Sequence, residues 1–227
     1  MARPLTPDEI AALRTIDTPT ICNAIEQFNV RPLTEGFMGV DVRSLSPDLG
    51  VMVGYAVTAT IDASSPAKQL GRSLYGPWLE AIDRSPKPVV TVFHDVGPNP
   101  RKSAHCGDEM AGAAMRLGAV GLVTDGAVRD LEQCRKLGFH YFAIGAVASH
   151  GTHTMKDVGI PIEVDGVRIE TGDLIHADVN GVTVIPAEIA DRVYEAAIKV
   201  REKEFNRYLK YLKGPDVSLD RLKEMFG

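Results

Sequence analysis

The sequence is short of the residues that staple, anchor or charge a chain in one direction. Its 227 residues include three cysteines, Cys22, Cys106 and Cys134, far apart, odd in number and without a Cys-x-x-Cys pair. That pattern gives no disulfide framework and suits a reducing compartment, so a cytoplasmic location is expected. No stretch approaches the roughly 18 apolar residues of a membrane span, and residues 1–5 lack the apolar run of a signal peptide. Cations are outnumbered, 25 Lys+Arg against 30 Asp+Glu, for a net charge of −5. With no aromatic-interleaved basic patch to reverse that locally, neither nucleic acid nor a membrane is an expected partner. The Gly-Lys-Ser/Thr and Gly-x-Gly-x-x-Gly nucleotide signatures are both absent. Around Ser64, Ser65 and Ser103 there is no Gly-x-Ser-x-Gly elbow, so serine hydrolysis has no local support.

What remains is an ordinary globular profile, 44% hydrophobic, at a length that favours one large domain with appendages. Thr6-Pro7-Asp8-Glu9 reads as a capping box, and Thr18-Pro19 repeats the Thr-Pro opening. From Val51 to Ile61 the apolar period is two, the mark of a half-buried strand. A helical patch around residues 74–82 precedes a short β-branched run, residues 88–93, of the kind buried on both faces. Helix 109–117, strand 119–124, helix 131–137 and strand 140–144 then alternate, with Gly118 and Gly138 as helix stops, which implies parallel strands joined by crossovers. Asp165-Gly166 and Asn180-Gly181 are type I′ turn signals and predict two hairpins, 160–164 with 167–169 and 174–179 with 182–185. A long helix over 187–213, with a stripe of Ile189, Val193, Ala197, Val200 and Tyr208, a Gly214-Pro215 break and a short helix close the chain. The expected fold is a single α/β domain, 1–227, with a mixed sheet, N-terminal helices and a C-terminal helical extension.

Chemistry concentrates in two acidic turns. Gly107-Asp108-Glu109-Met110 opens one helix, and Asp125-Gly126-Ala127-Val128-Arg129-Asp130 leads into the next. A helix N-terminus favours an anion, Arg129 offers a planar cationic fork for a carboxylate or enolate, and Asp108 and Asp130 are hard oxygen donors suited to Mg²⁺ or Mn²⁺. Set against this, Asp is a preferred N-cap, Asp130-x-x-Gln133 resembles a capping box, and Arg129 can pair with any nearby carboxylate. Three such residues on consecutive turns of one sheet tilt the reading toward a ligand site. His150 and His153 lack a third metal ligand at recognisable spacing, so a loop-packing or substrate-contact role is expected over zinc. Cys106 invites a nucleophile, although a free Cys is more often a small buried hydrophobe.

Gly107-Asp108, the run from Gly118 through Asp125-Gly126 to Arg129-Asp130, and the run from Gly172-Asp173 through Asp178 and Gly181 to Pro186 together resemble the family containing 4-hydroxy-4-methyl-2-oxoglutarate aldolase and the regulator of ribonuclease activity A. The similarity spans about residues 17–186. It implies a swivelling β/β/α-type fold, assembly into trimers or hexamers, and active sites between subunits. By motif position it implies Asp130 as direct metal ligand, Asp108 as ligand through water, Arg129 as the pyruvate-binding cation, and backbone N–H groups of Gly107, Asp108, Glu109 and Met110 for the substrate carboxylate. An acidic residue from a neighbouring subunit is also implied, with Glu195, Glu202 and Glu204 as candidates. The resulting expectation is a Mg²⁺- or Mn²⁺-dependent aldolase cleaving a 4-hydroxy-2-oxo acid such as 4-hydroxy-4-methyl-2-oxoglutarate to pyruvate, with oxaloacetate decarboxylation through the same enolate. No Lys in a motif position suggests a Schiff base. The alternatives are a non-catalytic regulator that binds a ribonuclease or other protein, and a metal-dependent sugar-acid dehydratase or isomerase. His150, His153, Asp62 and residues 70–78 are candidates for shaping substrate choice.

Overall fold

The computed structural model describes residues 3–66, 68, 71–214 and 217–226. The expected Leu70 and Pro215, and the side chain of Tyr208, lie outside the described residues. A mixed sheet runs in the order β1 (Arg43–Ser44), β5 (His140–Ala143), β4 (Ala119–Thr124), β3 (Val89–Asp95), β2 (Met52–Asp62), β9 (Leu174–Asp178), β10 (Gly181–Ile185), with β6 (Thr154–Val158) pairing the far end of β2. Strands β2, β3, β4 and β5 are mutually parallel; β6 and β9 pair β2 antiparallel, so β2 forks the sheet. This is the mixed α/β architecture that the alternating pattern predicts. Among the described residues no helix is long and apolar enough to cross a membrane.

Strand β2 corrects the half-buried reading, because all eleven of its residues are buried. Val57, Ala59 and Ile61 enter a core with helices α3 (Tyr75–Arg84), α4 (Asp108–Arg116) and α5 (Leu131–Leu137). Met52 and Ala56, on the other face, enter a core closed by the hairpin β7 (Ile162–Val164) and β8 (Val167–Ile169). Its polar positions survive burial by bonding. Thr58 Oγ1 donates to the Ile160 carbonyl at 2.7 Å, and Thr60 Oγ1 lies 3.1 Å from Asp157 Oδ2.

At the ends, α1 (Pro7–Leu13) carries the expected capping box, with both Thr6 and Glu9 reciprocating. Helix α2 (Thr18–Glu26) is capped one residue earlier than its Thr-Pro signal suggests. Asp17 accepts from Thr20 N at 2.9 Å, and the Thr18 hydroxyl is used instead on His176 Nδ1, 3.0 Å away. The first hairpin turn is as expected, with Asp165 and Gly166 both at positive φ. The second is shifted: Gly181 pairs with Asp178, so Val179-Asn180 make the turn, because Asp178 Oδ1 accepts from Asn180 N at 2.8 Å. The long C-terminal helix starts late. Residues 187–192 form successive turns that bury Ile189, α6 spans Val193–Glu204, and a π-helical turn at Phe205–Leu209 leads into α7 (Lys210–Leu212). The stripe of Val193, Ala197 and Val200 packs back on α1 and α2 of its own chain. Helix α8 (Leu219–Phe226) follows.

Candidate active site

The two acidic turns leave the C-terminal ends of the neighbouring parallel strands β3 and β4, where ligands of open α/β sheets gather. Beyond those ends the loops stay paired. Ala104 bridges Ala127, His105 N donates to the Ala127 carbonyl at 2.8 Å, and Arg129 N donates to the Cys106 carbonyl at 3.0 Å. This short ladder puts Gly107-Asp108 beside Arg129-Asp130. Under it sits the fully buried ring of His105, with Nε2 2.5 Å from Asp95 Oδ2 and Nδ1 2.8 Å from Thr124 Oγ1. A Cβ on Gly126 would fall 2.2 Å from that ring, so only glycine lets the second loop cross it. His105 thus has a structural task, as expected of an isolated histidine, but a specific one: it clamps both site loops to strand ends.

Asp130 occupies the N-cap position of α5 without capping it. Its backbone is left-handed, φ 58° and ψ 41°, and its side chain makes no bond to the helix. The carboxylate is turned sideways instead, with Oδ2 3.2 Å from Arg129 Nε and 3.2 Å from Asp108 N. The capping explanation therefore fails for this residue, and the left-handed backbone holds the side chain toward the other loop. Asp108, at the first position of α4, accepts from Glu109 N at 2.9 Å. Among the described residues Asp130 is the only carboxylate on Arg129, and it meets Nε, leaving the two terminal nitrogens for a ligand.

A cavity of about 280 Å³ opens against this corner, lined by Arg129, Gly107, Glu109 and Met110 on one part and by Tyr75, His150 and His153 on another. Asp108 and Asp130 adjoin it through Gly107 and Arg129 and do not themselves line it. Glu195, Glu202 and Glu204 lie on α6, away from this cavity. Asp62 is tied into its own turn, accepting from Ser64 N and Ser65 N at 3.2 and 3.0 Å. Cys106 borders the cavity with its thiol buried, which pushes it up to about 12 and away from nucleophilic chemistry. His153 has both ring nitrogens engaged, Nε2 with the His105 carbonyl at 2.7 Å and Nδ1 with Tyr75 Oη at 3.2 Å, so it has none to spare for zinc. Nothing local in the sequence marks the Tyr75–His153 contact, which spans 78 residues.

Among the described residues no three His, Cys, Asp or Glu side chains converge into a metal-holding group. The donor set nevertheless fits one kind of ion. Mg²⁺ and Mn²⁺ accept one or two carboxylates and complete their shells with water and substrate oxygens. Space is reserved for such an arrangement, since a Cβ on Gly107 would stand 2.4 Å from Asp130 Oδ2 and 2.9 Å from Arg129 Nε.

The comparisons agree with this geometry. A protein of Halalkalibacterium halodurans, provisionally named a 4-hydroxy-4-methyl-2-oxoglutarate aldolase, is 31% identical over 198 residues, 85% of this chain and 83% of that one. The 4-hydroxy-4-methyl-2-oxoglutarate aldolase of Thermus thermophilus is 32% identical over 96 residues, 42% of this chain and 58% of its own. In fold, the chain resembles a Streptomyces coelicolor protein described as an unusual member of the RNase ES inhibitor RraA family, with a TM-score of 0.71 at 20% identity, covering 91% of this chain and 98% of that one. The RraA-like model, described as Aldolase/RraA, matches residues 18–184, which takes in both acidic turns and the strands that present them, and the chain belongs to that family.

Proposed function

We propose that the protein is a divalent-metal-dependent aldolase that cleaves a 4-hydroxy-2-oxo acid to pyruvate and a second carbonyl compound. The observation that carries this reading is the uncapped Asp130, turned by a left-handed backbone onto Arg129 and the start of α4. Asp130 would hold Mg²⁺ or Mn²⁺, with Asp108 acting through water. The ion supplies Lewis-acid stabilisation for negative charge developing on the 2-oxo oxygen. Arg129 supports the same charge with its free terminal nitrogens. Asp108 N and Glu109 N are already bound to Asp130 and Asp108, which leaves the N–H groups of Gly107 and Met110 to take the substrate carboxylate at the positive end of α4. A water held between Asp108 and Arg129 takes the C4-hydroxyl proton and later returns a proton to C3, releasing pyruvate.

The cavity has no lysine among its described lining residues, which favours this route over an imine. Oxaloacetate decarboxylation passes through the same enolate and gives a second readout. Arg129→Ala and Asp130→Asn should each lower kcat/KM for metal-dependent pyruvate release by about 100-fold or more, with the melting curve unchanged. Undiminished turnover in either variant sinks the assignment. Absence of pyruvate release from every 2-oxo acid tried, with tight capture of a protein partner, would instead favour a binding role. We place the active protein in a homo-oligomer, trimer or hexamer, a state that light scattering reads directly.

A further inference from the structure

The cavity beside Arg129 has a part that carries no charge. Tyr75, from the first turn of α3, and His153, just before β6, meet there with ring centroids 5.6 Å apart, and Tyr75 Oη lies 3.0 Å from Met110 Sδ. The His105 carbonyl can only accept, so His153 Nε2 carries the ring proton and Nδ1 is an acceptor. Tyr75 O–H therefore donates to Nδ1, and its oxygen lone pairs remain able to accept from a ligand. Burial keeps both groups neutral, pushing the phenol up to about 12 and the imidazole down to about 4. Arg129 is the only Lys or Arg among the described residues that line the cavity, and Glu109 lines it too.

Once Arg129 and the start of α4 take the 2-oxo acid end, the rest of the substrate meets a neutral acceptor, a thioether and a glutamate. A hydroxyl satisfies that surface. A second carboxylate would face Glu109, and could draw on Tyr75 O–H only by leaving His153 Nδ1 bare in a buried site. We propose that Tyr75, positioned by His153, is the specificity-determining group of this site, accepting the C4 hydroxyl of a 4-hydroxy-2-oxo acid whose far end is uncharged. The inference rests on the aldolase reading above and narrows its substrate class to monocarboxylates.

The test substrate is 4-hydroxy-2-oxopentanoate. Its C3–C4 bond breaks, the hydroxyl proton leaves as C4 becomes the carbonyl of acetaldehyde, and the electron pair left on C3 takes up a proton to give pyruvate. No oxidant or reductant is needed. With Mg²⁺ or Mn²⁺, wild-type kcat/KM for this monocarboxylate should exceed that for 4-hydroxy-4-methyl-2-oxoglutarate by about tenfold or more. Tyr75→Phe should lower the monocarboxylate value by about tenfold, and that for oxaloacetate, which has no C4 hydroxyl, by less than about threefold. His153→Phe should repeat this pattern, and His153→Asn, whose side-chain oxygen can accept where Nδ1 did, should recover much of the loss. Preference for the dicarboxylate, no loss in Tyr75→Phe, or equal loss on all three substrates overturns the inference while the aldolase reading stands. If the wild type releases pyruvate from none of the three, the aldolase reading falls and takes this inference with it.

Discussion

Gly107 shows how much one missing methyl group can hold open. Its φ of −129° is available to any residue, so its requirement is spatial and comes from the carboxylate and guanidinium packed against it. Gly107→Ala should therefore leave the melting temperature nearly unchanged while displacing Asp130 and Arg129, cutting pyruvate release by about tenfold or more, since small misplacements of catalytic groups are costly. A variant with wild-type turnover would show that the corner tolerates the displacement. At this scale the sequence is legible where a residue's neighbours in the chain decide its role. The acidic turns could be found because Gly107-Asp108 and Arg129-Asp130 each sit at a helix start. The pairing of Tyr75 with His153, and the His105 clamp on Asp95 and Thr124, join residues whose proximity only the completed sheet creates.

Elements were legible in proportion to how strongly local chemistry fixes them. The capping box at Thr6, the Asp165-Gly166 turn and the glycine stops at Gly118 and Gly138 all stand where their local signals put them, with positive φ at each of the last three glycines. Strand β6, Thr-Met-Lys-Asp-Val, has no clean period of two and is held by its ladder to β2, so its sequence gives no warning. The late start of α6 has a similar cause, since Ile189 reaches the core through a turn as well as it would from a helix. Helix α2 offers a test. Asp17 caps it and also meets Arg201 of α6 at 3.0 Å, tying the two helices together. Burial alone would raise this carboxyl, but hydrogen bonds from Arg201 and Thr20 outweigh it and hold it below the ordinary range. Asp17→Ala should cost about 1–2 kcal/mol in urea unfolding at neutral pH. Because the folded-state value is the lower one, the contribution is present above about pH 4, and the gap between variant and wild type should narrow as pH falls toward 2.

For the whole molecule, burial of histidines sets the acid limit. His140 and His153 are each pushed down to about 4 by burial, and His176 is lowered for the same reason. In the unfolded chain these rings take up protons near pH 6.5. Between about 6.5 and 4 the unfolded state therefore binds more protons than the folded one, and stability falls as pH drops through that window. Urea midpoints measured from pH 7.5 to 4.5 should decline steadily, and a flat profile would contradict this account. The forked strand β2 bears on how such a loss would spread. Its side chains enter all three apolar clusters, and its backbone bonds to β3, β6 and β9. No cluster can come apart without disturbing a strand that the other two share. The helical ends and the catalytic corner, far apart in sequence, are thus bound to a common fate, and destabilisation begun at either terminus reaches the site through eleven residues of one strand.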